Sequence, residues 1–254
     1  MLEPHKQAEI DSRTEQFMAH DATKPFGWGG ESWVKWATIA EAFARLGVAR
    51  GARVLDVGAG SGWTSALLAE SGYAVTAVDL VPANVAAAQA RADRWDVDVD
   101  ARVADMDALA LDVPPFQAVL VFDALHHSTR PDRVVANLAG HVAPGGWVLF
   151  GEPSLLHAVS PHARAVSRDL GWSERGVGVR RLRRACRAAG LTESRRFFEG
   201  GRPYASRGRE FAVELVRLVA ADVAVAPRTH VWLAAGRPAV AASGIRPRNL
   251  AEER

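Results

Sequence analysis

The chain is 254 residues long and has a single cysteine, Cys186. That excludes an intramolecular disulfide and any metal cluster built on thiolates. Leu182, Ala185 and Ala189 recur around it at helical spacing, so Cys186 is expected as a small core residue. Lysine is nearly as scarce. Lys6, Lys24 and Lys35 are the only three, and arginine supplies the rest of the 31 basic side chains. Alongside the many Ala, Gly and Val residues, this bias reads as the mark of a GC-rich genome and not as an electrostatic design. An excess of charge is also lacking: 29 acidic residues leave a net charge of +2. A nucleic-acid binder would show a strong positive excess or a basic stripe, so no nucleic-acid partner is expected. No uncharged apolar run approaches the ~20 residues that span a bilayer, and the opening MLEPHKQAEIDSRTEQ has no apolar core of the kind found in signal peptides. A cytoplasmic protein with no membrane partner is expected. There is no internal repeat.

What is present is an ordinary globular balance, 48% hydrophobic and 24% charged, enough to fill a substantial core. Between about residues 53 and 152 short apolar runs alternate with helical patterns. RVLDVG, AVTAVD (74–79), DARVAD (100–105), FQAVLVFD (116–123) and WVLFGE (147–152) read as five strands. Pro82 and Pro131 stand where first helical turns begin, and PGG (144–146) is expected to stop the helix carrying Val134, Val135, Leu138 and Val142. Continuous apolar strands alternating with helices imply a parallel sheet covered on both faces, a doubly wound α/β fold. Flanking it, 32–46 reads as a helix with Trp33, Trp36, Ile39, Phe43 and Leu46 on one side, the two tryptophans buried against the sheet. Residues 154–176 read as an inserted helix and loop, VRRLRRACRAAG as a helix closed by Gly190, 192–198 and 229–236 as strands, 209–224 as an apolar helix, and the C-terminus as a frayed tail.

The stretch VLDVGAGSGWTS (54–65) sets an acid before glycines at alternating positions: Asp56, Gly58, Gly60, Gly62. Glycines between a strand and a helix bring backbone N–H groups close to a ligand. A dinucleotide loop needs a different glycine register and no acid. An acid beside the loop suits a cationic ligand, one with an ammonium and a sulfonium.

Residues 54–62 resemble motif I of the class I S-adenosylmethionine-dependent methyltransferases, and the remaining motifs follow in family order. Asp79 ends the second strand, 19 residues after Gly60, where the family's acid takes both ribose hydroxyls; a carboxylate can accept two hydrogen bonds from a vicinal diol. ADMDAL (104–109) matches the segment that contacts adenine, implicating Asp105 and Met106. FDALHH (122–127) matches the segment passing the methionine moiety and the methyl group, and HVAPGGWVLFGEP (141–153) matches the turn and fifth strand. The resemblance implies S-adenosyl-L-methionine as cofactor and S-adenosyl-L-homocysteine as product. It implies cofactor contacts from Asp56, Gly58, Ala59, Gly60, Gly62, Asp79, Leu80, Asp105, Met106 and Asp123. It also implies a seven-stranded, mostly parallel Rossmann-like sheet in a single domain. That domain has a lid and helix over 1–46, a cofactor-binding core over 50–153, an acceptor cap over 154–178 and the rest of the sheet over 179–240.

A hydroxyl acceptor needs a base, and histidine suits that near neutral pH. His126 and His127 follow the fourth strand at the end where open α/β sheets bind ligands, and are the catalytic candidates. Adjacent residues point different ways, so one of the two is expected to face the methyl group, while the other packs in the helix-entry turn. The segment is not the Pro-Pro motif of amino-methylases, and a lone cysteine on an arginine-rich helix does not suit a pyrimidine methylase. Asp123, His126, His127 or Glu152 could hold Mg²⁺, but nothing in the spacing demands it and Mg²⁺ prefers oxygen ligands; no metal is expected. Phe26 and Trp28 are lid candidates, and Glu152, His157 and Trp172 could line an acceptor pocket. Arginines 180–187 and 195–196 read as a solvated face. The reading is methyl transfer to a small molecule, to a hydroxyl before an amine or carbon, in secondary metabolism or sugar modification. Two alternatives stand beside it: cyclisation or elimination in the same pocket, and a cofactor-binding, non-catalytic partner subunit. The helix at 209–224 could cover the sheet or mediate a homodimer or another protein contact.

Overall fold

A computed structural model of the chain describes residues 2–13, 18–19, 21–26, 31–197, 199 and 230–239. The helix expected at 209–224, the C-terminal tail and Trp28 lie outside the described residues. Seven strands form one sheet: β1 (Arg53–Val57), β2 (Ala74–Asp79), β3 (Val99–Val103), β4 (Phe116–Phe122), β5 (Val142–Pro153), β6 (Glu193–Phe197) and β7 (His230–Gly236). Their order is β3-β2-β1-β4-β5-β7-β6, with β7 antiparallel to both neighbours and the other pairs parallel.

Side chains alternate across a strand, and the core divides accordingly. Leu55, Val57, Val119 and Val121 pack with Val134, Val135 and Leu138 of α5 and with Leu182 and Cys186 of α7. Val54, Ala118 and Leu120 face the other way, onto Ile39 and Phe43 of α2, Leu68 of α3 and Ala92 of α4. Here α2 is Glu31–Leu46, α3 Trp63–Glu70, α4 Pro82–Trp95, α5 Pro131–His141 and α7 Val179–Ala188; α1 (Pro4–Asp11) and α6 (Pro161–Leu170) lie outside this double layer. Proline opens α4, α5 and α6, where its missing N–H costs nothing. Ser160 caps α6 by accepting from the Ala163 N–H, and Gly171 ends that helix with φ 74°.

Two local expectations are corrected. The Pro-Gly-Gly at 144–146 does not stop α5, which ends at His141. It lies inside the long β5, beside a register shift against Phe116 and Ala118. A Cβ on Gly146 would sit 2.9 Å from the carbonyl oxygens of Ala143 and Gln117, so the glycine permits a close pass of β4. Trp33, expected against the sheet, is 43% exposed and meets Phe26 edge-on, ring centres 5.3 Å apart; Ile39 and Phe43, further along the helix, make its contact with the core. No described helix is long and apolar enough to cross a membrane.

Candidate active site

The loops that follow β1 to β4 all leave the sheet at the same end, and there they floor a cavity of about 1110 Å³. Its roof is α1 together with the segment around α6. Trp172 joins the two by donating from its Nε1 to Ser12 Oγ at 2.8 Å. A single small-molecule site usually occupies ~300–1,000 Å³, so two ligands fit side by side.

One half of the floor is the glycine loop. Gly58, Ala59 and Gly60 line the cavity, and a Cβ on Gly60 would meet nothing nearer than Asp21 Oδ2 at 3.8 Å. No side chain at Gly60 stands between the backbone and a ligand, while the N–H groups of Gly58 and Ala59 are bonded to the Val78 carbonyl oxygen. Gly62, expected at the cofactor, instead packs on α4, where its Cβ would lie 2.6 Å from that of Ala88. Asp56 is also turned away from the cavity. It is 1% exposed, and its Oδ2 accepts from Thr64 Oγ1 at 2.6 Å and Ser65 Oγ at 2.7 Å, which ties β1 to the first turn of α3. Burial pushes its carboxyl up to about 6, against the pull of those two hydroxyls.

Asp79 and Leu80 line the cavity beside this loop. Asp79 accepts from the Gly60 N–H at 2.8 Å, the Val81 N–H at 2.9 Å and Asn84 Nδ2 at 3.0 Å, so its carboxylate is fixed in direction. Asp105 and Met106 also reach the cavity. Lys6 of α1 lies against Asp105, at 3.0 and 2.7 Å, and against Asp107 at 2.6 Å. Asp123 lines the wall with φ 49°. Burial would raise its pKa, but His230, 2.6 Å away, and Lys35 at 3.5 Å hold it well below the ordinary carboxylate range.

The other half of the floor is imidazole. His126 and His127 both line the cavity. A short 3₁₀ turn, Leu125–His127, carries them with ring centres 4.0 Å apart. Glu152, expected to touch substrate, is fully buried and lies behind them. Its carboxylate accepts from the backbone N–H groups of Ala124 (3.2 Å), Leu125 (2.9 Å) and His126 (3.3 Å) and from His126 Nδ1 (2.9 Å). Burial and the charge of Asp123 push its pKa up to about 7, against those three N–H groups. The network leaves a lone pair on His126 Nε2. Burial lowers the pKa of this ring to about 4 despite the nearby carboxylates, so the ring is neutral at neutral pH. His127 is lowered by burial and by its neighbour His126. His157 and Trp172 line the cap side, and His157 Nε2 lies 2.6 Å from Glu174 Oε2. Phe26 is 66% exposed and outside the cavity lining.

Sequence reasoning passed over Lys6, Glu9, Arg13, Lys35, Glu174 and His230, all in the lining. A signal was present in the rarest basic residue, since all three lysines face this cavity, as do six of the seven described histidines. Each lysine is paired with a carboxylate there, Lys6 with Asp105 and Asp107, Lys24 with Asp21 and Lys35 with Asp123.

The family described as "Methyltransferase domain" matches residues 54–146. The ubiquinone biosynthesis O-methyltransferase of Methylocella silvestris is 32% identical over 152 residues, covering 56% of this chain and 59% of that protein. The chain thus spans about three fifths of the length of that relative. Among solved structures, phosphoethanolamine N-methyltransferase 2 of Haemonchus contortus, in complex with S-adenosyl-L-methionine, is similar with a TM-score of 0.66 at 19% identity, over 94% of this chain and 60% of that one. The [4+2]-cyclase SpnF is similar with a TM-score of 0.58 at 20% identity, over 83% and 82%. These two are likenesses of fold.

Proposed function

We propose that the chain is a class I S-adenosylmethionine-dependent methyltransferase, a reading supported by the methyltransferase family match over residues 54–146 and by the O-methyltransferase relative, and that it methylates a small-molecule hydroxyl within this cavity. One observation carries the reading. The glycine loop Gly58–Gly60 with Asp79 and Asp105, and the imidazole pair His126 and His127, line the two halves of one cavity.

The residues present fit the cofactor. Gly60 leaves its backbone open to a ligand. Asp79, held by three donors, keeps one lone-pair site, on Oδ2, for a ribose hydroxyl. Asp105 and Met106 would flank the base, and Asp123 the amino-acid end. When bound, S-adenosylmethionine supplies an electrophilic methyl group on a sulfonium. The chain's part is to align, to exclude water and to handle a proton. α1 and the cap cover part of the cavity, joined by Trp172 and Ser12. His126, fixed by Glu152, presents a neutral imidazole lone pair, the group an acceptor hydroxyl needs to release its proton. The O-methyltransferase relative supports a hydroxyl as acceptor.

Calorimetric titration of the whole chain with S-adenosylmethionine and S-adenosylhomocysteine, beside Asp79→Ala, tests the reading. Micromolar binding by the wild type is expected, weakened at least about tenfold in the variant, as for loss of hydrogen bonds to a charged group. Thermal melting checks that the variant is folded. Absence of binding in the wild type overturns the proposal. If binding holds, release of S-adenosylhomocysteine in the presence of hydroxylated and amino acceptors separates O- from N-methylation.

A further inference from the structure

We propose that His126, His127 and Glu174 hold one divalent transition-metal cation of the zinc class at the acceptor end of the cavity. This departs from the expectation of no metal, and it rests on the reading that this end receives the acceptor. Each of the three residues offers one ligand atom, and these atoms all lie within 4.8 Å of one another. His126 Nε2 is 3.7 Å from Glu174 Oε2, and His127 Nδ1 is 3.6 Å from Glu174 Oε1. Two ligands of one tetrahedral zinc stand about 3.3 Å apart, as bond lengths of ~2.0–2.1 Å require. Two of the contacts must shorten by a few tenths of an ångström, and the remaining one, within 4.8 Å, by up to about 1.5 Å.

The surroundings match what holds metal ligands in place. A ligating histidine usually bonds a carboxylate or carbonyl through its other nitrogen, and ligating carboxylates are themselves hydrogen-bonded. His126 Nδ1 donates to Glu152 at 2.9 Å. His127 differs: its Nδ1, the nitrogen nearest Glu174, now lies 3.0 Å from the Ser173 carbonyl oxygen, a contact it would exchange for the cation. Glu174 Oε2 is bonded by His157 Nε2 at 2.6 Å. A packing or capping role for His126 does not require a fully buried glutamate with three backbone donors behind it. Two imidazoles and one carboxylate suit zinc, iron or cobalt over magnesium. Three protein ligands would leave a coordination position open, and all three line the cavity. With a cation on it, the His126 lone pair is a ligand, and the cation itself draws the acceptor oxygen into place.

The test uses the untagged, EDTA-stripped whole chain titrated with CoCl₂, with ZnCl₂ as competitor and MgCl₂ as control. One Co²⁺ per chain is expected, with visible absorption bands that Zn²⁺ abolishes and Mg²⁺ leaves unchanged. Glu174→Gln and His127→Asn should each weaken Co²⁺ binding at least about tenfold while melting as cooperatively as the wild type. Absence of Co²⁺ bands in the wild type, or bands of equal strength in both variants, overturns the proposal. Calorimetry with S-adenosylmethionine on the same samples separates the two readings. Cofactor binding without Co²⁺ bands ends the metal site alone, and Co²⁺ bands without cofactor binding end the methyltransferase reading alone.

Discussion

At the scale of single residues, the glycine loop divides into positions that serve the fold and positions that serve the ligand. A Cβ on Gly58 would lie 2.4 Å from the Cβ of Ala124, at φ 69°. Left-handed strain alone makes alanine destabilising by more than ~1 kcal/mol, and the overlap with the β4 loop adds to it. Gly60 has the same strain, at φ 54°, but no close neighbour. Gly58→Ala should therefore lower the urea midpoint clearly more than Gly60→Ala, whereas Gly60→Ala keeps most of its stability and loses cofactor affinity. Equal melting of the two variants would contradict the assignment. Asp56 has a second, pH-dependent consequence. Its folded pKa, about 6, lies above the ordinary 3.8, so the folded state holds the proton more tightly. The stability this gives is fully present below the ordinary pKa and is lost as pH rises to about 6. Asp56→Asn, whose amide oxygen can still accept from Thr64 and Ser65, removes the buried charge. Near neutral pH it should raise stability by up to about 3 kcal/mol, with no gain below about pH 4. Denaturant melts of both proteins at the two pH values check this, and a loss of stability at neutral pH would contradict it.

At the scale of elements, the sheet was legible and the roof was not. The strands of the core are buried on both faces, so their sequences are continuous apolar runs, and the motifs fall at strand ends that such runs delimit. By contrast, α1 has only one buried residue, Lys6, and nothing in its hydrophobic pattern announces that it covers a site. It is held by polar ties instead: Lys6 to Asp105 and Asp107, Glu3 to Arg130 and Thr129, and Ser12 to Trp172. Glu152 was misread for a related reason. From sequence, an acid at a strand end looks free to meet substrate, and only the fold shows the three N–H groups that claim it. An element held mainly by polar contacts opens at low free energy, and the exposed Glu3–Arg130 pair is screened by salt. Trypsin should therefore cut at Lys6 or Arg13 well before it cuts the core. S-adenosylhomocysteine should slow that cut several-fold and high salt should speed it. Limited proteolysis read by mass spectrometry measures all three rates, and an α1 as resistant as β4 would show that the roof does not open.

At the scale of the whole molecule, a net charge of +2 conceals a cavity of the opposite sign. Its lining holds seven carboxylates, from Glu9, Asp21, Asp79, Asp105, Asp107, Asp123 and Glu174, against the cations of Lys6, Arg13, Lys24 and Lys35. The histidines whose pKa burial lowers, His126 and His127, add no charge at neutral pH. Chain-wide composition averages this segregation away, which is why the balance of acids and bases read as featureless before the fold gathered them. A focused negative field favours a positively charged ligand and raises its local concentration. S-adenosylmethionine carries one positive charge more than S-adenosylhomocysteine, on the sulfonium that methyl transfer neutralises. The substrate form should therefore be drawn in by the field, and the product form should leave without that attraction. The affinity for S-adenosylmethionine should fall more steeply with ionic strength than that for S-adenosylhomocysteine, because only the former has a net charge to screen. Titrations of both at several salt concentrations, with thermal melting to exclude unfolding, give the two slopes. Parallel slopes would mean that Lys6, Lys24 and Lys35 neutralise their carboxylates locally and that no net field reaches the sulfonium.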